Sequence, residues 1–164
     1  MIPKPRDYRH GVFKFTSTND LSKASRADLL RILKYGIPGT YMPSFLLMKE
    51  EELQAIVEYV RFLAMRGEYE RRLVSELSSD YSEKAVSDRL GSETRKDIVS
   101  ELQEFLKDEL PETAESLGDD LSEAWTAAEA EESKIIPNVA RVEDTTESRQ
   151  RGRALYLSKT LNCA

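Results

Sequence analysis

The sequence holds a single cysteine, Cys163, so no disulfide can close within its 164 residues. Its one histidine, His10, stands outside any HExxH or clustered Cys/His pattern, and a zinc site built on it has no grouped ligands to call on. GxSxG, the glycine-lysine phosphate loop and GxGxxG are all missing, which leaves hydrolase, kinase and dinucleotide readings without a motif. No run approaches the roughly 18 apolar residues that a bilayer-spanning helix needs, and the opening "MIPKPRDYRHG" has no apolar stretch of the secretory-signal kind. Positive charge is also scarce: 24 Lys and Arg stand against 30 Asp and Glu, a net charge of -6. Affinity for phosphate backbones comes mostly from Lys and Arg, so nucleic acid is not an expected partner. At 40% hydrophobic residues the chain can build a core, though a modest one. A charged fraction of 33% puts carboxylates everywhere, and no particular acid/base pair stands out.

What is present is mostly helical text. "SKASRADLLRILKYG" offers Ser22 or Ser25 as an N-cap, apolar Leu29, Leu30, Ile32 and Leu33, and Gly36 past the end; it predicts a short amphipathic helix. In "KEEELQAIVEYVRFLAMRGEYERRL", Leu53, Ile56, Val57, Val60, Leu63 and Ala64 follow the i, i+3, i+4, i+7 rule behind three glutamates that suit a helix N-terminus. From about 67 to 134 the chain turns charge-rich, with one apolar stripe over Ile98, Leu102, Phe105 and Leu106 and another over Leu117, Leu121, Trp125 and Ala128. These predict short helices that pair or cover something, with the charge runs on solvated faces. "IIPNVARVEDTTESRQRG" reads as an irregular connector, and "ESRQRGRALYLSKTL" as a last helix. The opening "PKPRDYRHGVFKFTSTND" has neither helical spacing nor an evident partner strand, and reads as a folded-down loop with Phe13 and Phe15 on one side.

Between the first two helices lies "GIPGTYMPSF", residues 36–45. Pro38 and Pro43 restrict its freedom, while Gly36 and Gly39 permit sharp turns. A methionine in such a loop is either core filler, the role expected for Met48 and Met65, or a soft, neutral thioether ligand to a metal. A methionine ligand to haem iron has to be held by a loop that does not relax away, and this one is stiff on both sides. The residues alone leave both roles open for Met42.

Three separated stretches, "PRDY…GVFKFTST", "DLLRILKYGIPGTYMPSF" and "EEELQAIVEYVRFLA", resemble in that order the second half of a class I c-type cytochrome domain, the bacterial type with PRDF-like, FKFRST-like and GIPGTxMP segments. The resemblance covers about residues 3–65. It implies that Met42 is the distal axial ligand to haem iron, that Ile37 and Pro38 pack on the haem, and that Leu33 lines the pocket. Thr16 stands where the family often has arginine. The family's C-x-x-C-H attachment motif occurs nowhere in the chain, and His10 follows no cysteine pair. At the other end, "GRALYLSKTLNCA" resembles the first helix of another c-type domain, with Cys163 as its first thioether cysteine.

The resulting expectations are an all-α fold: an incomplete cytochrome c-like helical domain over 1–66, a charged helical spacer over 67–145, and the first helix of a second, truncated cytochrome c domain over 146–164. The resemblance further implies haem c as the cofactor of the parent protein, electron transfer rather than bond chemistry, redox proteins as partners, and a periplasmic or otherwise extracytoplasmic location. A fragment of a tandem cytochrome is the expected origin. Apolar surface on the helix over Leu53–Ala64 is expected to be left uncovered, and the isolated chain is expected to be marginal in stability or partly disordered. The alternative is a haem-free helical interaction or scaffold module in which Met42 only packs.

Overall fold

The computed structural model describes residues 6–19 and 22–158, and over them the fold is all-α. Helix α1 (Arg26–Tyr35) starts where Ser25 caps it, its hydroxyl accepting from the Asp28 amide. The helix stops at Gly36, whose φ of 68° and ψ of -167° take the chain out of helical space. Helix α2 (Glu50–Tyr81) is 32 residues long and buries Leu53, Val57, Arg61, Ala64, Gly67 and Glu68, one face at helical spacing. It runs without a break through residue 66, where the sequence suggests a boundary. Ser82 ends α2 and caps α3 (Glu83–Arg89), and Thr94 with Asp97 forms a capping box for α4 (Arg95–Glu104).

Between α4 and α5 (Leu110–Ala127) the helical path continues through a π turn over Phe105–Glu109. Pro111 supplies the cause: it has no amide to donate and its ring crowds the preceding turn, which a wider turn relieves. The extra residue shifts the helical phase. Of the expected stripe Ile98 is buried, while Leu106, inside the π turn, is 43% exposed. Beyond the turn Leu121, Trp125 and Ala128 share one buried face.

That face lies on α2. The Tyr69 hydroxyl donates to the Ala114 carbonyl (3.1 Å), and the Arg61 guanidinium sits over the Trp125 ring at 5.3 Å. Residue numbers rise on α5 as they fall on α2, so the two run antiparallel. Glu129, just past α5, accepts from Arg61 and Arg26, each at 3.0 Å, and so ties α5 to α2 and α1 together. The expected bare face on α2 is therefore largely covered: Leu53, Val57 and Ala64 are 2%, 3% and 0% exposed, and Tyr59 and Phe62 remain outside. Val57 packs with Ala24 and Leu29 of the strap and α1, while α5, from the segment expected to be a spacer, lies on α2 at Arg61 and Tyr69.

The N-terminal segment is strapped across the other end of the core. A 3-10 turn at Tyr8–His10 lies against α2 at Gly67. Thr18 forms an isolated antiparallel bridge with Lys134, supported by Ile135 N to Ser17 O (2.8 Å) and Asn19 N to Ser133 O (3.1 Å). This partner lies more than 100 residues away, which is why the segment shows none in the sequence. Helix α6 (Thr146–Tyr156) follows an exposed connector and contains no buried residue.

Candidate functional site

The loop after α1 is stitched by a series of hydrogen bonds. Ile37 O accepts from the Thr40 amide (3.1 Å) and from the Thr40 hydroxyl (2.8 Å). With Pro38 second and Gly39 third at φ +79°, this is the residue pattern of a type II turn. Met42 is then held from both sides: its amide donates to Thr40 Oγ1 (3.1 Å) and its carbonyl accepts from Ile37 N (3.1 Å). The loop is tied back to α1 by Phe45 N to Leu33 O (3.0 Å) and Ser44 Oγ to Lys34 O (2.6 Å). A Cβ on Gly36 would stand 2.6 Å from Met42 O, so only glycine lets the two ends of the loop close this tightly.

Met42 faces an open cleft of about 640 Å3, within the roughly 300–1,000 Å3 common for cofactor and ligand sites. Leu29, Ile32, Leu33 and Val60 form its floor from α1 and α2; Ile37, Thr40, Tyr41 and Met42 come from the loop; Arg6, Tyr8, Phe13, Lys14 and Phe15 come from the N-terminal strap. Of the residues singled out in the sequence, Leu33, Ile37 and Met42 are thus brought to one cleft. Pro38 is exposed in the turn and does not line it. Cys163 lies outside the described residues. The sequence puts Phe13 and Phe15 on one side of their segment, but that this side is a cleft wall, and that Arg6, Tyr8, Lys14 and Tyr41 join it, escapes sequence reasoning because nothing in the spacing says which way an irregular segment faces; Ile32, by contrast, lies at helical spacing from Leu29 and is legible.

Chain comparison finds no match among family models, curated proteins or solved structures. The site therefore has to be read from its own geometry.

Two features set the strap. Asp28, 3% exposed, accepts from the Ser17 amide (2.8 Å), the Ser17 hydroxyl (2.9 Å), the Ser25 hydroxyl (3.0 Å) and Arg31 (3.2 Å). Burial pushes its carboxyl up, but the bonds from Ser17, Ser25 and Arg31 outweigh this and hold it below the usual carboxylate value. Glu68, 9% exposed, receives Lys23 Nζ (2.7 Å) and Arg72 (2.8 Å); there too the basic partners overcome the effect of burial and lower its pKa. Behind the cleft, Phe13 stacks on Tyr8 at 5.7 Å and meets Trp125 edge-on at 6.1 Å, so α5 backs one cleft wall.

Electrostatically the cleft runs against the whole chain. Its two charged lining residues, Arg6 and Lys14, are both cationic, in a molecule of net charge -6. The site suits a largely apolar ligand that also carries negative groups. For a haem, the lining offers apolar walls, one thioether and two cations for carboxylates. It offers no imidazole: His10 Nδ1 is 3.1 Å from Arg71 Nη1, and His10 is not part of the lining. No group of three His, Cys, Asp or Glu suited to a metal ion occurs among the described residues.

Proposed function

We propose that this chain supplies the methionine side of a c-type haem site in an electron-transfer protein. The observation that supports the reading is the convergence of Leu33, Ile37 and Met42 on one apolar cleft, with Met42 anchored through both of its backbone polar groups. When bound, haem supplies a reversible one-electron change at iron. The protein residues do the rest. Met42 presents a neutral, polarisable thioether, which favours the reduced iron and raises its potential. Leu33, Ile37, Leu29 and Val60 would keep water from the apolar face, while Arg6 and Lys14 would pair with the haem carboxylates. Nothing in this scheme makes or breaks a covalent bond in a substrate, so the reading is an electron carrier with redox proteins as partners. As a c-type site it belongs outside the cytoplasmic membrane. A c-type haem would need a second iron ligand and thioether cysteines besides the residues named here, and the family's C-x-x-C-H motif occurs nowhere in the 164 residues.

The competing reading, a haem-free helical interaction module, draws on α5, whose packing of Trp125 to 1% exposure closes a core without any cofactor. One titration separates the two. Iron protoporphyrin IX, added to the chain with imidazole as the second ligand, is expected to bind and to show a long-wavelength sulfur-to-iron band that disappears in Met42→Ala. Absence of the band from the unsubstituted chain, or its survival in Met42→Ala, overturns the proposal.

A further inference from the structure

Phe15 has a backbone conformation that its side chain should resist. Its φ is +63°, and it is the sole non-glycine residue with positive φ among the described residues. Left-handed backbone is normal for glycine and tolerated by asparagine, but costly for a bulky aromatic residue. Burial does not offset the cost, because Phe15 is 58% exposed.

The surroundings impose the conformation. On one side Phe13 is fixed between Tyr8 and Trp125. On the other, Ser17 is bound through its amide and hydroxyl to buried Asp28. Between them the Phe15 carbonyl accepts from Arg31 Nη2 at 2.7 Å, and Arg31 is itself paired with Asp28 at 3.2 Å. Phe13 and Phe15, two residues apart on an extended segment, share one side of it, and both line the cleft together with Lys14. The left-handed backbone at Phe15 therefore falls at a cleft-lining residue between two anchored neighbours.

We propose that Phe15 is a ligand-contacting clamp: a ring held over the cleft at a backbone cost in the unloaded chain, and buried only when a flat, apolar ligand enters. Local strain retained by an over-determined surround is the pattern expected of a binding element rather than of a packing one. The inference rests on the cleft being the ligand site proposed above, but not on metal ligation by Met42.

The test uses the described chain and metal-free protoporphyrin IX, which has the flat apolar body and carboxylates but no iron for Met42 to bind. Phe15→Asn, which tolerates left-handed backbone, is expected to keep or raise the melting temperature of the unloaded chain while weakening porphyrin binding about ten-fold or more, the loss expected when a mostly exposed aromatic ring no longer becomes buried. Phe15→Tyr is expected to keep the affinity. Unchanged affinity in Phe15→Asn, or no porphyrin binding by the unsubstituted chain, overturns the proposal; so does a lowered melting temperature with intact affinity, which marks the ring as structural. Because the ligand lacks iron, failure of the Met42 reading leaves this result standing on its own.

Discussion

Replacing Gly67 by alanine pits helix propensity against a backbone clash, and the structure decides the sign. Gly67 lies inside α2, where alanine is worth about 1 kcal/mol over glycine in an unhindered helix. Here the new Cβ would meet the Arg9 carbonyl oxygen at 2.2 Å, the Arg9 Cβ at 2.7 Å and the Arg9 carbonyl carbon at 2.8 Å. To reach ordinary contact the strap must retreat by roughly 1 Å. Its backbone is fixed nearby by Arg71 Nη2 to His10 O (3.0 Å), so the retreat also strains that bond. Overpacking against a held backbone costs about 1–3 kcal/mol and occasionally more. With the propensity gain included, a net loss of up to about 2 kcal/mol is expected, which lowers the melting temperature by up to roughly 8 °C for a chain of this size. Gly118→Ala is the matched comparison, since its Cβ meets nothing closer than Tyr69 Cε2 at 4.0 Å. There the propensity term stands alone and a rise of roughly 2–4 °C is expected. Thermal melts followed by circular dichroism at the helical band measure both. A Gly67→Ala melt that rises alongside that of Gly118→Ala refutes the close approach of the strap to α2, and with it the strap wall of the cleft.

Other substitutions probe other joints. Trp125→Ala removes the largest fully buried side chain and is expected to cost about 3–5 kcal/mol in urea unfolding; a cost below about 1 kcal/mol contradicts the docking of α5 on α2. As the sole tryptophan, Trp125 should also lose fluorescence when porphyrin fills the cleft in front of Phe13, and an unquenched signal on saturation argues against that placement. Asp28 has a lowered folded pKa, so its contribution is present above the unfolded value near 3.9 and is lost as pH falls through the folded value. Asp28→Asn should therefore destabilise the chain at pH 7 and progressively less below about pH 4, as read from urea midpoints; an equal penalty at both pH values rejects the charged-acceptor role.

The sequence by itself determined the local elements, because helices declare themselves within a few neighbouring residues. Ser25, Gly36 and the spacing of Leu53, Val57 and Ala64 carried α1 and α2, and the turn chemistry of Pro38 and Gly39 carried the rigid loop. Met42 stood out for its setting in that loop, while Ile37 and Leu33 came forward only through the resemblance to a c-type cytochrome domain. What the sequence left undetermined were the long-range pairings. Nothing near residue 18 announces Lys134, nothing near Phe13 announces Trp125, and the charged stretch after residue 67 gives no sign that α5 turns back to cover α2. Contacts of that kind depend on which apolar faces remain exposed once the helices exist, and on where chain reversals let them meet. Only the tertiary structure decided that strap, loop and helix residues line one cleft, that the two charged residues of its lining are cationic in an acidic chain, and that Phe15 takes a left-handed backbone there.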